Sequence, residues 1–509
     1  MDLLLGLDVG TTATKALLMN SQGEIVASAS YGYGLITPRE EWVEQDPEEL
    51  WRGVVTTCQK VMKQLKPEDH VVALSISAQG GTTIPVDAEG RPVGNAISWM
   101  DKRAHQQARQ VREMLGEDRI YEKSGWRLGD GLPLLHISWL RQCAPEIFAS
   151  TRYFLFVNDF VIHRLTGQLC MDPSDAGITQ LYNISQGRWD EDMLELAGIE
   201  LDQLSPVQNS GAAVGQLTAE ASRETGLPRS VLVVNGAHDQ YCAAVGVGVM
   251  NQGDVMLSCG TAWVILGLME QLKLDPEKRI SVSPHAIRNR WGALKSLGGV
   301  GACMEWFLDN LWHSANRSDV YDELNRCVST APVGSKGLIF LPSSGGYGRG
   351  GRGGFVGLTL SHSRDDMARA VMEGIVFDLR RTMEGVRDAG IEGNQLRMVG
   401  GAAASPVWPQ IVADITHIPV ALPAVTEAAG CGAAILAGVG SGVFSSPEEG
   451  YQVLSGEEML LEPDEGNTKR YDELFGIYCD IAQQISSSLS RLSDFWKSVS
   501  YTHLTLPTN

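Results

Sequence analysis

The sequence predicts an α/β protein built from two similar domains. An apolar strand at residues 3–7 runs into a Gly-Thr turn near residue 10, and a second apolar strand follows at 16–19. The same pattern recurs near residue 260, where a strand ends at a second Gly-Thr turn and another apolar strand follows at residues 263–266. Because strand and helix patterns alternate after both turns, we interpret the recurrence as an internal duplication. The predicted domains are residues 1–247 and 248–495.

The other elements follow from periodicity and capping signals. Residues 25–29 complete an antiparallel meander with Gly at its turns. A helix is predicted after Asp46, with Pro47 at its first position and Glu49 completing a capping box. A second capping box, Ser363 with Asp366, starts a helix in the second half. Buried strands are predicted at 71–76, 231–234 and 396–399.

Composition excludes several classes of function. The 509 residues are 43% hydrophobic and 20% charged, which is typical of a globular protein. With 61 acidic and 41 basic residues the net charge is −20, which argues against a nucleic-acid partner and against binding to an anionic membrane.

Cysteine usage and the chain ends bear on location. The nine Cys form no C-x-x-C pair, which indicates reduced thiols. The N-terminus has no signal-peptide pattern and no apolar stretch approaches ~18 residues, so a cytoplasmic location is predicted. The last segment, residues 501–509, does not continue the preceding helical pattern, and we interpret it as a non-native tail.

The first Gly-Thr turn is a candidate phosphate site. Gly10, Thr11 and Thr12 expose backbone N–H groups and hydroxyls to an anion. Asp8, at the end of the preceding strand, is suited to hold a hydrated Mg²⁺, and Lys15 to reach a phosphate. Taken alone, the pattern also fits an ordinary hairpin with a solvated lysine.

The second Gly-Thr turn, Gly260-Thr261, allows two phosphate-binding hairpins, although it also fits a structural turn. A run of small residues after strand 396–399 permits close approach to a flat ring, so an adenine site is plausible there beside simple close packing. The residues of this run are Gly400, Gly401, Ala402 and Ser405.

A polar segment after strand 231–234 contains the candidate base. Asp239 follows a buried strand and precedes a small-residue helix, which suits a general base. His238 is an alternative, but a single His is more often structural, so we favour Asp239. The glycine-rich segment 345–354 lacks the spacing of a Walker loop, and we interpret it as a surface or lid loop.

Together these motifs resemble the FGGY family of carbohydrate kinases, of the actin-like ATPase superfamily. The order is DxGTT…K, HDQ, a second GT hairpin and GG-A-x-S, and the match covers about residues 3–490. Gly353–Leu358 with the following helix resembles the family's C-terminal signature. The resemblance implies two actin-like (ribonuclease H-like) domains with a catalytic cleft between them.

The resemblance also implies roles for the motif residues. The reaction is ATP-dependent phosphorylation of a sugar or polyol hydroxyl, with Asp239 as base and Asp8 positioning Mg²⁺. The two hairpins and Lys15 would hold the phosphates, and the small-residue run would line the adenosine site. The implied substrate-binding residues are Gln79, Trp99, Asp101, Arg103, Asp239 and Gln240.

One departure concerns the substrate. Glycerol kinases carry Arg-Glu after the equivalent of Gln79 and bacterial xylulokinases carry Met-His, whereas this chain has Gly80-Gly81. We expect the change to leave space in the sugar site, which a bulkier substrate or contacts from elsewhere in the chain could fill. The predicted substrate is a ketose or polyol, most simply a pentulose such as xylulose, with a hexulose, tetritol or pentitol as alternatives.

Two other functions fit the same fold. One is a non-catalytic regulator that binds sugar or nucleotide, and the intact Asp8 and Asp239 argue against it. The other is a filament-forming or chaperone-like ATPase, and the HDQ and WMDKR segments argue against that. A homodimer is possible as a general prior.

Overall fold

The computed structural model describes residues 1–312, 319–343, 351–454, 456 and 458–504. Most of the glycine-rich segment 345–354, and residues 505–509 of the predicted tail, lie outside these ranges. The strands are β1 (Asp2–Val9), β2 (Ala13–Asn20), β3 (Ile25–Gly32), β4 (Glu44–Gln45), β5 (His70–Ala78), β6 (Ile84–Val86), β7 (Ala96–Ile97), β8 (Tyr153–Leu155), β9 (Tyr182–Asn183), β10 (Arg188–Trp189), β11 (Ala213–Gln216), β12 (Leu232–His238), β13 (Asp254–Cys259), β14 (Trp263–Met269), β15 (Ser281–Pro284), β16 (Trp291–Gly298), β17 (Ile339–Leu341), β18 (Gly354–Val356), β19 (Gln395–Gly400), β20 (Val420–Leu422) and β21 (Met459–Leu461). The helices are α1 (Pro47–Met62), α2 (His105–Leu115), α3 (Glu117–Ser124), α4 (Pro133–Cys143), α5 (Pro145–Ser150), α6 (Val157–Thr166), α7 (Pro173–Ile178), α8 (Glu191–Ala197), α9 (Ala219–Thr225), α10 (Asp239–Gly246), α11 (Val300–Asn310), α12 (Val320–Thr330), α13 (Arg364–Val386), α14 (Trp408–Thr416), α15 (Ala428–Ser441), α16 (Pro447–Leu454) and α17 (Glu465–Leu504).

The chain divides into two compact units. Unit 1 contains Met1–Gln252, Leu268–Ala293 and Val425–Gly456, and unit 2 contains the rest. The division predicted from sequence, at 247/248, assigned residues 425–456 to the second domain. In the structure α15 packs against β1, β5 and α10 of unit 1. The hydrophobic pattern of α15 is the same whichever sheet it covers, so its return to unit 1 was not readable from the sequence.

The sheet of unit 1 has the strand order β11-β12-β5-β1-β2-β3. Strands β1, β5 and β12 run parallel, and β1, β2 and β3 form the predicted antiparallel meander. Odd residues of β1, such as Leu5 and Leu7, share a core with Leu50 of α1. Even residues point the other way, because side chains alternate along a strand, and Gly6 there faces Gly430 of α15. Helices α1 and α15 therefore cover opposite faces.

Glycines allow the closest contacts inside unit 1. A Cβ on Gly236 would lie 1.6 Å from the Ile76 carbonyl oxygen, and a Cβ on Gly432 would lie 1.8 Å from that of Cys242. The second contact joins α15 to α10. Close helix and strand packing thus accounts for some of the 56 glycines of the chain.

Unit 2 repeats the central arrangement of unit 1. Its sheet includes the order β14-β13-β19-β20-β21, in which β13 and β14 form an antiparallel hairpin and β19 runs parallel to β13. The hairpin of β1 and β2 beside β5 has the same pattern. The repeated topology supports the interpretation of an internal duplication.

Capping follows the sequence prediction at one helix and departs from it at another. The Ser363–Asp366 capping box is present at the start of α13. At α1, Asp46 accepts a hydrogen bond from the Glu48 N–H at 2.9 Å, but Glu49 is hydrogen-bonded to Tyr31 and Arg52 rather than returning to the cap. The reciprocal half of that predicted capping box was wrong because Tyr31 of β3 and Arg52, one turn further along α1, compete for Glu49.

Helix α17 continues through Leu504, so the backbone of residues 501–504 is helical. The predicted break before residue 501 is therefore not observed. Within the described part of the chain, no helix has the length and apolar character needed to cross a bilayer.

Candidate active site

Three polar residues lie at one edge of the unit 1 sheet. Asp8 is near the end of β1, Gln79 directly follows β5, and Asp239 directly follows β12. Because these strands are parallel and Ala78 is in register with both Val9 and His238, their carboxyl ends meet at the same edge. Sequence-distant candidate residues are thereby brought together.

The carboxyl of Asp8 is held in a state that favours its protonated form. Burial, and then the nearby charge of Asp239, raise its pKa from 3.8 to about 6. The Ser77 hydroxyl donates a hydrogen bond to Asp8 Oδ1 at 2.8 Å and acts in the opposite direction. Two carboxylates that repel each other form a site that a cation would stabilise.

Asp239 is the first residue of α10, and its side chain is 31% exposed, so a substrate can reach it. His238 Nδ1 lies 3.3 Å from Asp239 Oδ1. The same nitrogen accepts a hydrogen bond from the Gln240 N–H at 3.2 Å and caps the helix. The Gln240 Oε1 is buried without a hydrogen-bond partner in the described structure.

The first Gly-Thr turn presents its amides rather than its carbonyls. Tyr33 donates to the carbonyls of Gly10 and Thr12 at 2.6 and 2.9 Å, through its hydroxyl and its N–H respectively. Gln45 Nε2 donates to the carbonyl of Thr11 at 2.8 Å. The N–H groups of Thr11 and Thr12 have no acceptor within the described ranges, so the turn can receive an anion.

Lys15 is engaged by a residue that the sequence did not indicate. Its Nζ lies 2.8 Å from Oε2 of Glu427, and both side chains are substantially exposed. Glu427 is the residue before α15, and more than four hundred positions separate it from Lys15. A phosphate would therefore have to compete with Glu427 for the Lys15 ammonium.

Gln79 and Trp99, two of the predicted sugar-binding residues, retain groups for a ligand. Trp99 is 44% exposed, and its Nε1 donates to Thr11 Oγ1 at 3.1 Å. Gln79 Nε2 donates to Gln45 Oε1 at 2.9 Å, while Gln79 Oε1 is buried and unpartnered among the described residues. The indole face and one amide oxygen are thus available.

Asp101 and Arg103 are instead occupied within the protein. Arg103 contacts Asp101 through Nε at 2.9 Å and Nη2 at 2.8 Å, and its Nη2 also reaches Glu44 Oε1 at 2.7 Å. The guanidinium lies over the ring of Trp42 at 3.9 Å, and Asp101 accepts the Val43 N–H at 2.6 Å. Asp101 is fully buried. This closed network favours a structural role for both residues.

The Gly80-Gly81 pair is not beside empty space. A Cβ on Gly80 would lie 2.3 Å from Cδ2 and 2.7 Å from Nε2 of His238. Gly81 has φ of +77°, and a Cβ there would lie 3.1 Å from Cβ of Trp99. Of the two expectations for this gap, a bulkier substrate or contacts from elsewhere in the chain, the structure shows the second at Gly80, where the imidazole of a distant residue occupies the volume.

Unit 2 contains a cavity of about 620 Å³. It is lined by Gly260 and Thr261 of the second hairpin and by Gly401, Ala402 and Ser405, all predicted from sequence. Gly400 adjoins it with φ of +92°, and a Cβ there would lie 2.7 Å from the Cys259 carbonyl oxygen, so the position requires glycine.

Two further residues of this cavity, Asn325 and Trp408, were not among the predicted site residues. Ser405 Oγ donates to Asn325 Oδ1 at 2.7 Å and accepts the Trp408 N–H at 3.1 Å. Trp408 Nε1 is buried without a partner in the described structure. Trp408 lies in the segment SPVWPQ beside the small-residue run, which is a sequence signal; Asn325 offered none.

The residues present fit Mg²⁺ and an adenosine nucleotide. No cluster of three or more His, Cys, Asp or Glu in the described ranges could hold a metal. Asp8 would provide a carboxylate for Mg²⁺, the remaining ligands being water and phosphate oxygens. The unit 2 cavity falls in the size range of small-ligand sites.

Comparison with known proteins agrees with this geometry. The sequence model of the FGGY family of carbohydrate kinases, N-terminal domain, matches residues 3–246, and that of the C-terminal domain matches residues 255–441. The chain is 29% identical to the xylulose kinase of Bacillus subtilis, over 98% of this chain and all of that kinase. It is 27% identical to the gluconokinase of the same organism, over 97% and 98% of the two chains.

Solved structures give the same result. The ligand-bound xylulose kinase from Lactobacillus acidophilus matches with a TM-score of 0.88 and 26% identity, over 97% of this chain and 100% of that one. The gluconate kinase from Lactobacillus acidophilus matches with a TM-score of 0.87 and 26% identity, over 96% and 99%. The predicted fold of two actin-like (ribonuclease H-like) α/β domains is confirmed. The chain belongs to the FGGY family of carbohydrate kinases and is a sugar kinase.

Proposed function

We propose that this kinase transfers phosphate from ATP, with Mg²⁺, to a hydroxyl of a neutral ketose or polyol, most simply a pentulose such as xylulose. The observation that carries the proposal is the pair of carboxylates, Asp8 and Asp239, at the carboxyl edge of the unit 1 sheet.

Asp239 is the base in this proposal. Its side chain is accessible and anchored in the first turn of α10, so its position is fixed by the helix and its carboxylate can accept the proton of the attacking hydroxyl. Phosphoryl transfer depends mainly on positioning and charge stabilisation, and a rigidly held base meets the first need.

Asp8 and the first Gly-Thr turn serve the phosphate side of the reaction. When bound, Mg²⁺ would neutralise charge on the phosphate oxygens. Asp8 would hold it, and the repulsion from Asp239 that raises the pKa of Asp8 favours a cation at this place. The free N–H groups of Thr11 and Thr12 would bind phosphate oxygens, with Lys15 contributing once it leaves Glu427.

Adenosine would bind in the unit 2 cavity. Gly401 and Ala402 allow close approach to the base, and the hairpin residues Gly260 and Thr261 share the same cavity. The buried and unpartnered Nε1 of Trp408 is a donor available to a ring nitrogen.

A neutral substrate is favoured over an aldonate by the state of two nearby cations. Arg103 is bound to Asp101 and Glu44, so its guanidinium is not free to pair with a substrate carboxylate, and the Lys15 ammonium is assigned to the phosphates. Gln79 Oε1 and Gln240 Oε1 are neutral acceptors suited to hydroxyl groups.

The test measures ADP release at saturating Mg·ATP with pentuloses, hexuloses, tetritols, pentitols and gluconate. We expect strong stimulation by a neutral pentulose and little by gluconate. Preferred use of gluconate would contradict the neutral-substrate proposal, and sugar-independent ATPase or no stimulation would favour the ATPase or regulator alternatives.

The Asp239→Asn variant tests the base. It should lower kcat by at least about 10²-fold while ADP binding is unchanged. The matched control is Asp202→Asn, which alters an exposed carboxylate paired with Arg152. Near-normal turnover of Asp239→Asn would refute the assignment.

A further inference from the structure

We propose that His238 reads the substrate in this kinase: its Nε2–H donates a hydrogen bond to a hydroxyl or carbonyl oxygen that neighbours the phosphorylated hydroxyl. The inference deepens the proposed function and rests on it, since it places the sugar beside Asp239. It also explains why positions 80 and 238 constrain each other.

The orientation of the imidazole is fixed by its surroundings. The backbone N–H of His238 donates to Ser174 Oγ at 3.0 Å, and the His238 ring packs edge-on against Tyr241 with a centroid distance of 5.7 Å. Its Nδ1 accepts the Gln240 N–H at 3.2 Å. With its side chain only 9% exposed, the ring has one position in which to present Nε2.

The hydrogen bonds assign the proton of the neutral ring. A backbone N–H can only donate, so Nδ1, which accepts it, carries no proton, and the neutral imidazole carries its proton on Nε2. The hydrogen bonds seen at His238 in the described structure use its backbone N–H and Nδ1, and none uses Nε2–H, which is therefore available to a ligand. A substrate oxygen would satisfy it.

The ring lies beside the base and directly against the Gly80 backbone. Nδ1 is 3.3 Å from Asp239 Oδ1, so the imidazole and the proposed base lie side by side. Nε2 lies 2.7 Å from where a Cβ on Gly80 would stand, and that Cβ would also be 3.0 Å from Cγ2 of Ile178. Position 80 must therefore be glycine while position 238 is histidine.

The first experiment separates substrate recognition from helix capping. His238→Asn keeps a side-chain oxygen to accept the Gln240 N–H, because Asn is a good N-cap, but its amide does not extend to the Nε2 position. We expect a thermal unfolding midpoint close to wild type, a sugar KM raised about tenfold, and an ATP KM within about twofold of wild type. An unchanged sugar KM would overturn the proposal.

The second experiment uses monodeoxy analogues of the best sugar substrate. For the analogue that lacks the oxygen bound by Nε2, wild type and His238→Asn should have the same kcat/KM, whereas they should differ about tenfold on every other analogue. A constant difference on all analogues would show that His238 acts on folding or on the base alone, and would overturn the inference.

The third experiment tests the pairing with position 80. Gly80→Ala should impair sugar KM because the new methyl displaces the imidazole, and Gly80→Ala/His238→Ala should be no worse than His238→Ala. Additive losses would contradict the contact. If no sugar stimulates ADP release in wild type, the proposed function itself fails; if sugar is phosphorylated but these variants behave as wild type, only this inference fails.

Discussion

At Asp8, burial and a second carboxylate act on one group in the same direction. Its pKa of about 6 means that the carboxyl is neutral below that pH and charged above it. The charged form is needed to hold a cation, so kcat/KM for Mg·ATP should fall as the pH decreases through about 6. Ser77→Ala removes a hydrogen bond that favours the charged form, so this acidic limb should move upward by up to about 1 pH unit.

The stability of the metal-free protein should respond with the opposite sign. Because the pKa of Asp8 is higher in the folded than in the unfolded state, ionisation of Asp8 above pH 6 opposes folding. Asp8→Asn should therefore raise the unfolding midpoint at pH 8 but hardly at pH 3.5, below the usual aspartate pKa of 3.8, while abolishing activity. Equal effects at both pH values would refute the raised pKa.

Other residues at this scale have partners that come from far along the chain. Lys15 is paired with Glu427, and His238 lies on Gly80. Each pair joins a residue of a recognisable motif to one that no motif marks. The motif indicates which functional group is present, and the distant partner determines whether that group is free to contact a ligand.

At the scale of elements, α10 and α15 pack through glycines. A Cβ on Gly432 would lie 1.8 Å from the Cys242 carbonyl oxygen, and a Cβ on Gly246 would lie 2.0 Å from that of Ala428. Backbone atoms cannot move aside as a flexible side chain does, so the two helices can meet only where Cβ atoms are absent. Since α10 carries Asp239, this packing also holds the base in position.

The matched substitutions Gly432→Ala and Gly476→Ala test this packing. Gly432→Ala should destabilise unit 1 and lower the unfolding midpoint, because α15 must separate from α10. Gly476, in α17, has open space around its Cβ position, so Gly476→Ala should stabilise by about 0.5–1 kcal/mol through helix propensity. Chemical denaturation measures both, and a neutral Gly432→Ala would contradict the contact.

At the scale of the whole molecule, the two units hold different parts of the proposed site. The carboxylate pair and the first phosphate turn belong to unit 1, and the cavity proposed for adenosine belongs to unit 2. Binding of a ligand to the folded form alone stabilises the part that holds it. Each unit should therefore show its own ligand response.

Hydrogen exchange with each ligand alone tests this division. At 100 times its Kd, ADP should slow exchange in peptides around residues 259–263 and 401–408 by about 100-fold for amides that open only without ligand. Ala402→Phe, which fills the cavity, should remove that protection yet leave the protection by sugar around residues 238–246. Full ADP protection in Ala402→Phe would contradict the adenosine site.

Much of the fold could be predicted from local patterns in the sequence. The hairpin and parallel strand recur because contiguous residues encode strand, Gly-Thr turn and strand, and the Ser363–Asp366 box is formed because cap and partner lie within one turn. Glu49 fails as a capping partner because Tyr31, from the neighbouring strand β3, and Arg52, one turn further along the same helix, hydrogen-bond to its carboxylate instead. The packing of α15 against unit 1 could likewise not be predicted from the sequence, because it depends on contacts with distant segments.

The sequence by itself determined the duplicated α/β fold, the family and the residue types available for phosphoryl transfer, because each depends on contiguous or regularly spaced residues. Only the tertiary structure decided which of them are free. Arg103 forms ion pairs with Asp101 and Glu44, and the space beside Gly80 is filled by His238. The physical reason is that desolvation, ion pairing and steric exclusion act between atoms in contact, and contacts between distant segments exist only after the chain has packed.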